Sequence, residues 1–154
     1  MQRKRLFVIS VSIVAVVAFL VLHTFGVTGT GTRIQFQTIS KGIFSGLADQ
    51  GYHVIRDRDE WAHVWGKHQQ IMYPQDPLPE VNFSETTVIA VSMGMRRTTG
   101  YEIEIKEIID TGLSVVVKVE ETFPNGRAVG MAITHPFHVV IVDKIDKYII
   151  FVQL

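Results

Sequence analysis

Cysteine is absent from the 154-residue chain. That one absence excludes disulfide staples, thiolate metal sites, a cysteine nucleophile and a lipid-modified cysteine. Net charge is missing as well, because 15 basic and 15 acidic residues cancel. The balance hides an asymmetry: Arg3, Lys4 and Arg5 are the charges of the first 25 residues, and all are positive. Beyond them, 12 basic residues stand against 15 acidic ones, a net of −3. A mildly acidic domain carries no electrostatic footprint for nucleic acid, so no nucleic-acid partner is expected. Catalytic signatures are lacking too. Ser92 has no Gly-x-Ser-x-Gly elbow around it. His63 and His68 are five apart, the wrong spacing for two ligands on one helical face, and a straight strand sends His135 and His138 to opposite sides. No cofactor and no metal site is expected, and the chain reads as non-enzymatic.

What is present begins with a long apolar run. Leu6 to Leu22 is interrupted only by Ser10 and Ser12, and extension through Phe25 gives twenty residues. A helix of about 20 residues crosses roughly 30 Å of hydrocarbon. The preceding basic cluster belongs on the cytoplasmic side, which puts the rest of the chain outside the cytoplasm. The expectation is an N-terminal transmembrane helix over residues 1–25, acting as an uncleaved anchor and engaging the membrane through Leu6–Phe25. A cleaved signal peptide, which would give a secreted protein, is the competing reading; Val27-Thr28-Gly29 is a poor cleavage site. Val27 to Thr32 alternates glycine and threonine, so residues 26–32 read as a linker and residues 33–154 as one extracytoplasmic domain.

Period-two alternation dominates that domain. A first strand is expected from Arg33 to Ile39 and a short second one over Tyr52–Ile55. Asp57-Arg58-Asp59-Glu60 has the pattern of a helix start, with Asp57 able to accept from the first free amides. Trp61, Val64, Trp65 and His68 then recur at helical spacing, a stripe suited to covering one face of a sheet. Pro74, Pro77 and Pro79 make a connector that can be neither helix nor central strand. Further strands are expected over Thr86–Ser92, Tyr101–Ile109 with a bulge near Glu107, Leu113–Glu120 with Leu113 facing the core, Ala128–Thr134, Phe137–Val142 and Tyr148–Val152. The predicted fold class is α+β, mainly an antiparallel β-sheet meander with one packed amphipathic helix.

Between two of those strands lies Gly94-Met95-Arg96-Arg97-Thr98-Thr99-Gly100-Tyr101. Glycines bracket two arginines and two threonines, so one short loop presents several hydrogen-bond donors and no nucleophile or base. This composition points to recognition of a protein partner rather than to chemistry. Arg96, Arg97, Thr98, Thr99 and Tyr101 are the candidate contact residues, and His135-Pro136-Phe137 supplies a second candidate stretch through His135 and Phe137.

The same residues carry a resemblance. Trp61 and Trp65 on a helix, Val81-Asn82-Phe83 before a strand, Gly94-x-Arg96-x-Thr98-x-Gly100-Tyr101-x-Ile103-x-Ile105, Pro124 and Thr134-His135-Pro136-Phe137-His138-Val139-Val140 follow in an order that resembles the PrcB-type C-terminal domain, over about residues 55–154. That domain is named for a subunit that accompanies a subtilisin-like protease in a surface complex. The resemblance implies a non-catalytic, envelope-associated accessory protein, with a protease as one partner it could take. Two departures stand out: Asn82 where the family favours aspartate, and Phe137 where it favours tyrosine. No lipoprotein cysteine is present, so an anchor helix would replace the lipid. Thr98-Thr99-Gly100-Tyr101 with His135-Pro136-Phe137 also resembles two loops of chagasin-like cysteine-protease inhibitors, with His135 standing where that family has arginine. That likeness implies protease inhibition as the alternative function. A small-ligand-binding envelope domain is a third reading, without a residue signature of its own.

Overall fold

The computed structural model describes residues 31–126 and 128–154. The expected membrane segment, Leu6–Phe25, lies outside these residues, as does most of the linker. No helix among the described residues is long and apolar enough to cross a membrane.

Among the described residues, eight strands and one helix follow the sequence pattern closely. The strands are β1 (Thr32–Ile34), β2 (Phe36–Gly42), β3 (Gln50–Ile55), β4 (Thr86–Met93), β5 (Glu102–Asp110), β6 (Ser114–Thr122), β7 (Phe137–Asp143) and β8 (Tyr148–Gln153), and the helix is α1 (Arg58–Gln69). They form two four-stranded sheets, β1-β5-β6-β8 and β2-β7-β4-β3. The α+β class with mostly antiparallel pairing therefore holds, but the arrangement is not a simple meander. The expected first strand breaks at Gln35, so that β1 pairs with β5 in one sheet and β2 with β7 in the other. At the other end of the chain, the turn after β7 crosses between sheets and β8 joins β6 in parallel.

Two hydrophobic clusters explain the layering. Ile89, Val91 and Met93 of β4, with Val140 and Val142 of β7, meet Ile103, Ile105 and Ile108 of β5 and Val115, Val117 and Val119 of β6 between the sheets. On the opposite face of the second sheet, Val88, Ala90, Phe137 and Val139 meet Trp61, Val64 and Trp65 of α1. The helical stripe thus covers the sheet as its spacing predicts, and Asp57 caps it by accepting from the Glu60 amide at 2.8 Å. Both indoles also hold the proline-rich connector: Trp61 Nε1 donates to the Pro79 carbonyl at 3.0 Å and Trp65 Nε1 to that of Asp76 at 3.3 Å. Leu113 departs from expectation. It sits at the tip of the β5–β6 hairpin and is almost wholly exposed, because the strand begins only at Ser114.

The expected bulge is present one position earlier than anticipated, with the register shifting between Ile105 and Glu107. A bulge takes an amide out of the ladder. Here the Ile105 N–H donates instead to Nδ1 of buried His138 at 3.0 Å, while Nε2 meets Thr38 Oγ1 at 2.9 Å. Accepting at Nδ1 fixes His138 as the neutral ring protonated on Nε2. Burial, assisted by Lys41, pushes its pKa from 6.5 down to about 4. Burial also lowers His68, whose Nδ1 lies 2.9 Å from Ser45 Oγ.

Two predictions follow from this packing. Trp61→Ala removes a side chain that is 1% exposed, and should lower unfolding free energy by about 3–5 kcal/mol in chemical denaturation. For His138, the unfolded chain takes up a proton near pH 6.5 while the folded one resists until about 4. Stability is therefore fully present above pH 6.5 and falls as pH drops toward 4. Melting temperatures across that window should decline for the native chain and less steeply for His138→Gln.

Candidate recognition surface

The loop between β4 and β5 is built by its two ends. Gly94 and Gly100 both adopt positive φ, at +71° and +92°. A Cβ on Gly94 would lie 2.7 Å from the Gln50 amide nitrogen and 2.9 Å from the Ala48 carbonyl, both rigid backbone. Only glycine meets both demands. At the other end Tyr101 packs partly into the inter-sheet core, edge-on to Phe123 at 6.0 Å between centroids.

Residues 128–134, expected as a strand, are not one. They lie along the loop and are held by local bonds. Arg96 and Thr134 exchange backbone hydrogen bonds of 2.7 and 2.9 Å as an isolated antiparallel bridge. The Thr99 amide donates to the Gly130 carbonyl at 3.0 Å, and the Gly130 amide donates back to Thr99 Oγ1 at 2.8 Å. Thr134 Oγ1 donates to the Thr98 carbonyl at 3.0 Å. Thr98 and Thr99, read from sequence as outward donors, thus spend bonding capacity on fixing this neighbour.

The two stretches singled out in the sequence are therefore brought together, but they do not share one surface. Phe137 is only 3% exposed and lies in the helix-facing core against His68, with centroids 4.3 Å apart. The expectation that it contacts a partner is corrected by that burial: it opens β7, whose odd-numbered side chains face α1. Pro136 is buried as well, so the second inhibitor-like stretch reaches the surface only through His135. His135 is half-buried, its amide donating to the Ile43 carbonyl, and its Nδ1 has no hydrogen-bond partner.

Arg96 and Arg97 differ. The Arg96 guanidinium lies over the Tyr101 ring, 5.5 Å from its centroid, and also donates to the Met95 carbonyl at 3.3 Å. Arg97 is exposed. Neither forms a salt bridge among the described residues, a property shared with Arg56, Arg58, Lys67 and Lys144, whereas Arg33, Lys41, Lys106, Lys118 and Lys147 pair with carboxylates. Around these two uncompensated charges the sequence reading missed an apolar rim. Met95 is half exposed, Met131 is 92% exposed and Ile133 is 61% exposed, with Phe123 and Val129 also open. The sequence reads as a strand over Ala128–Thr134. Gly130 and the short apolar spacing were the available signals for an irregular, open segment.

The model of the family described as PrcB C-terminal matches residues 87–143. The match opens at the start of β4 and closes at the end of β7, so it takes in the loop, the segment beside it and both buried central strands. It leaves out α1, which the sequence resemblance had included. No curated protein and no solved structure matches the chain.

Gly94→Ala tests the construction of the loop. The strained φ and the close backbone contacts should lower the melting temperature by several degrees, an effect of about 1–3 kcal/mol. Gly112→Ala, at a positive φ with open space around it, should cost less in the same measurement.

Proposed function

We propose that this chain, which carries a PrcB C-terminal-type domain over residues 87–143, is a non-catalytic accessory protein that binds another protein through the β4–β5 loop and the 128–134 segment laid beside it. The observation that carries this reading is the pairing of two salt-bridge-free arginines with exposed Met95, Met131 and Ile133 on adjoining backbone. Arginine, methionine and aromatic residues are the types enriched where proteins bind one another. A rigid frame under the surface lowers the ordering cost of binding, and the reciprocal bonds between Thr99 and Gly130 supply one. Family likeness makes an envelope protease the first candidate partner.

Leu6–Phe25 is proposed as the membrane anchor, with Arg3, Lys4 and Arg5 holding the N-terminus in the cytoplasm. The domain would then lie outside the cytoplasm. Within the domain, β1 pairs with the far end of β5, Thr32 opposite Asp110, while the proposed surface adjoins the beginning of β5 at Glu102. A partner at the loop therefore does not compete with the strand that leads into the domain.

Affinity capture of the full chain from its native membranes tests the surface. Arg97→Ala and Met131→Ser should each reduce recovery of the same co-purifying protein several-fold, with melting temperatures within about a degree of the native chain. Undiminished capture by both variants would assign binding elsewhere. Added protease digesting the domain in intact cells would support its placement outside the cytoplasm, and protection until lysis would overturn it.

A further inference from the structure

Sheet edges are templates for further pairing, and proteins blunt them with charges, bulges, shortness or proline. Among the described residues, two of the four edges, β1 and β2, are blunted, and a third, β3, is weakened by a glycine. β1 has three residues and carries Arg33. β2 has a register shift between Thr38 and Ser40 and carries Lys41. β3 is uncharged but carries Gly51 near its start, which weakens a strand interior. The fourth edge, β8, is Tyr-Ile-Ile-Phe-Val-Gln, with no charge, glycine or proline and an unbroken register along β6.

The side of β8 that faces outward can be identified. Leu154 N–H donates to the Val119 carbonyl at 2.8 Å, so in this parallel ladder the even-numbered residues direct their amides and carbonyls toward β6. Ile149, Phe151 and Gln153 direct theirs to the open side. Among the described residues no backbone bond reaches them from another element; β3 approaches only through the Tyr52 ring, stacked on Phe151 at 4.9 Å. The outer face of the strand shows Ile150 at 42% and Val152 at 41% exposure.

We infer that β8 pairs antiparallel with β8 of a second copy of this chain, joining two four-stranded sheets into one of eight. The three outward positions are symmetric about Phe151, as a two-fold axis requires. Phe151 then lies opposite Phe151 of the second copy and Ile149 opposite Gln153. Ile150 lies opposite Val152 of the second copy, next to Val116 of β6 on the same face, which makes a continuous apolar strip. An uncharged strand meets itself without opposing like charges, and that property favours a second copy over a peptide needing its own complement. The contact runs along the side of the sandwich and leaves the β4–β5 loop, at one end of it, uncovered.

Register-specific crosslinking of the full chain in detergent tests the inference, since the native protein has no cysteine to interfere. Ile150→Cys and Val152→Cys, made singly at half-exposed positions, should crosslink when mixed and oxidised. Facing residues of this non-hydrogen-bonded pair approach within disulfide range, while two copies of the same variant offer only diagonal neighbours. The mixture should give several-fold more disulfide dimer than either variant alone, and light scattering should give twice the chain mass for the native protein. A monomeric native protein, as when β8 pairs with another segment of its own chain, overturns the proposal. So does crosslinking no better in the mixture than in the single variants.

Discussion

β4 has every residue from Thr87 to Met93 buried, and the remainder of the domain is arranged to make that possible. Its strand neighbours β3 and β7 satisfy its backbone on both sides. Its side chains alternate between two cores, Ile89, Val91 and Met93 toward the other sheet and Val88 and Ala90 toward α1. A strand apolar on both faces is stable only with a layer on each. One layer is a second sheet and the other a single helix bearing two tryptophans. The helix is short, so the indoles carry much of the coverage, and their N–H groups find carbonyls in the connector rather than being stranded in the core.

Polar groups inside this frame are satisfied by devices that also set its shape. The β5 bulge would leave the Ile105 amide without an acceptor, and His138 supplies one. The ring spans from one sheet to the other, since its Nε2 reaches Thr38 on β2. A buried polar link of this kind disfavours slippage of one sheet over the other, because any shift strands a donor in a low-dielectric interior. Near neutral pH the link is intact only with the ring uncharged, and burial keeps it so.

The legible part of the sequence was that governed by periodicity. Alternation in Ile103, Ile105, Val115, Val117 and Val119 and the Trp61–Trp65 spacing located the elements and their buried faces. Sheet membership was not legible. Nothing in Arg33-Ile34-Gln35-Phe36 marks the change from one sheet to the other, since both halves alternate and the break is a matter of which neighbours are available. The parallel partnership of β8 with β6 is equally silent, being fixed by a crossing turn rather than by any residue. For the loop, composition identified the donors, but it could not show that Thr98 and Thr99 bond to residues 130 and 134. Phe137 was misplaced because it opens a central strand buried on both faces, so either register places it in a core.

Those silent features bear on the proposed recognition surface. By holding residues 128–134 through backbone bonds, the loop turns a sequence with strand-like alternation into an open segment whose apolar side chains have no core to enter. The folded core is already complete beneath, with β4 and β7 enclosed on both faces, so Met131 and Ile133 are left outside rather than squeezed out by poor packing. Exposed apolar side chains weaken solubility and are ordinarily scattered. Here they adjoin two guanidinium groups on a backbone with fixed hydrogen bonds. A surface of that composition, held rigid before any partner arrives, is what supports the protein contact proposed for it.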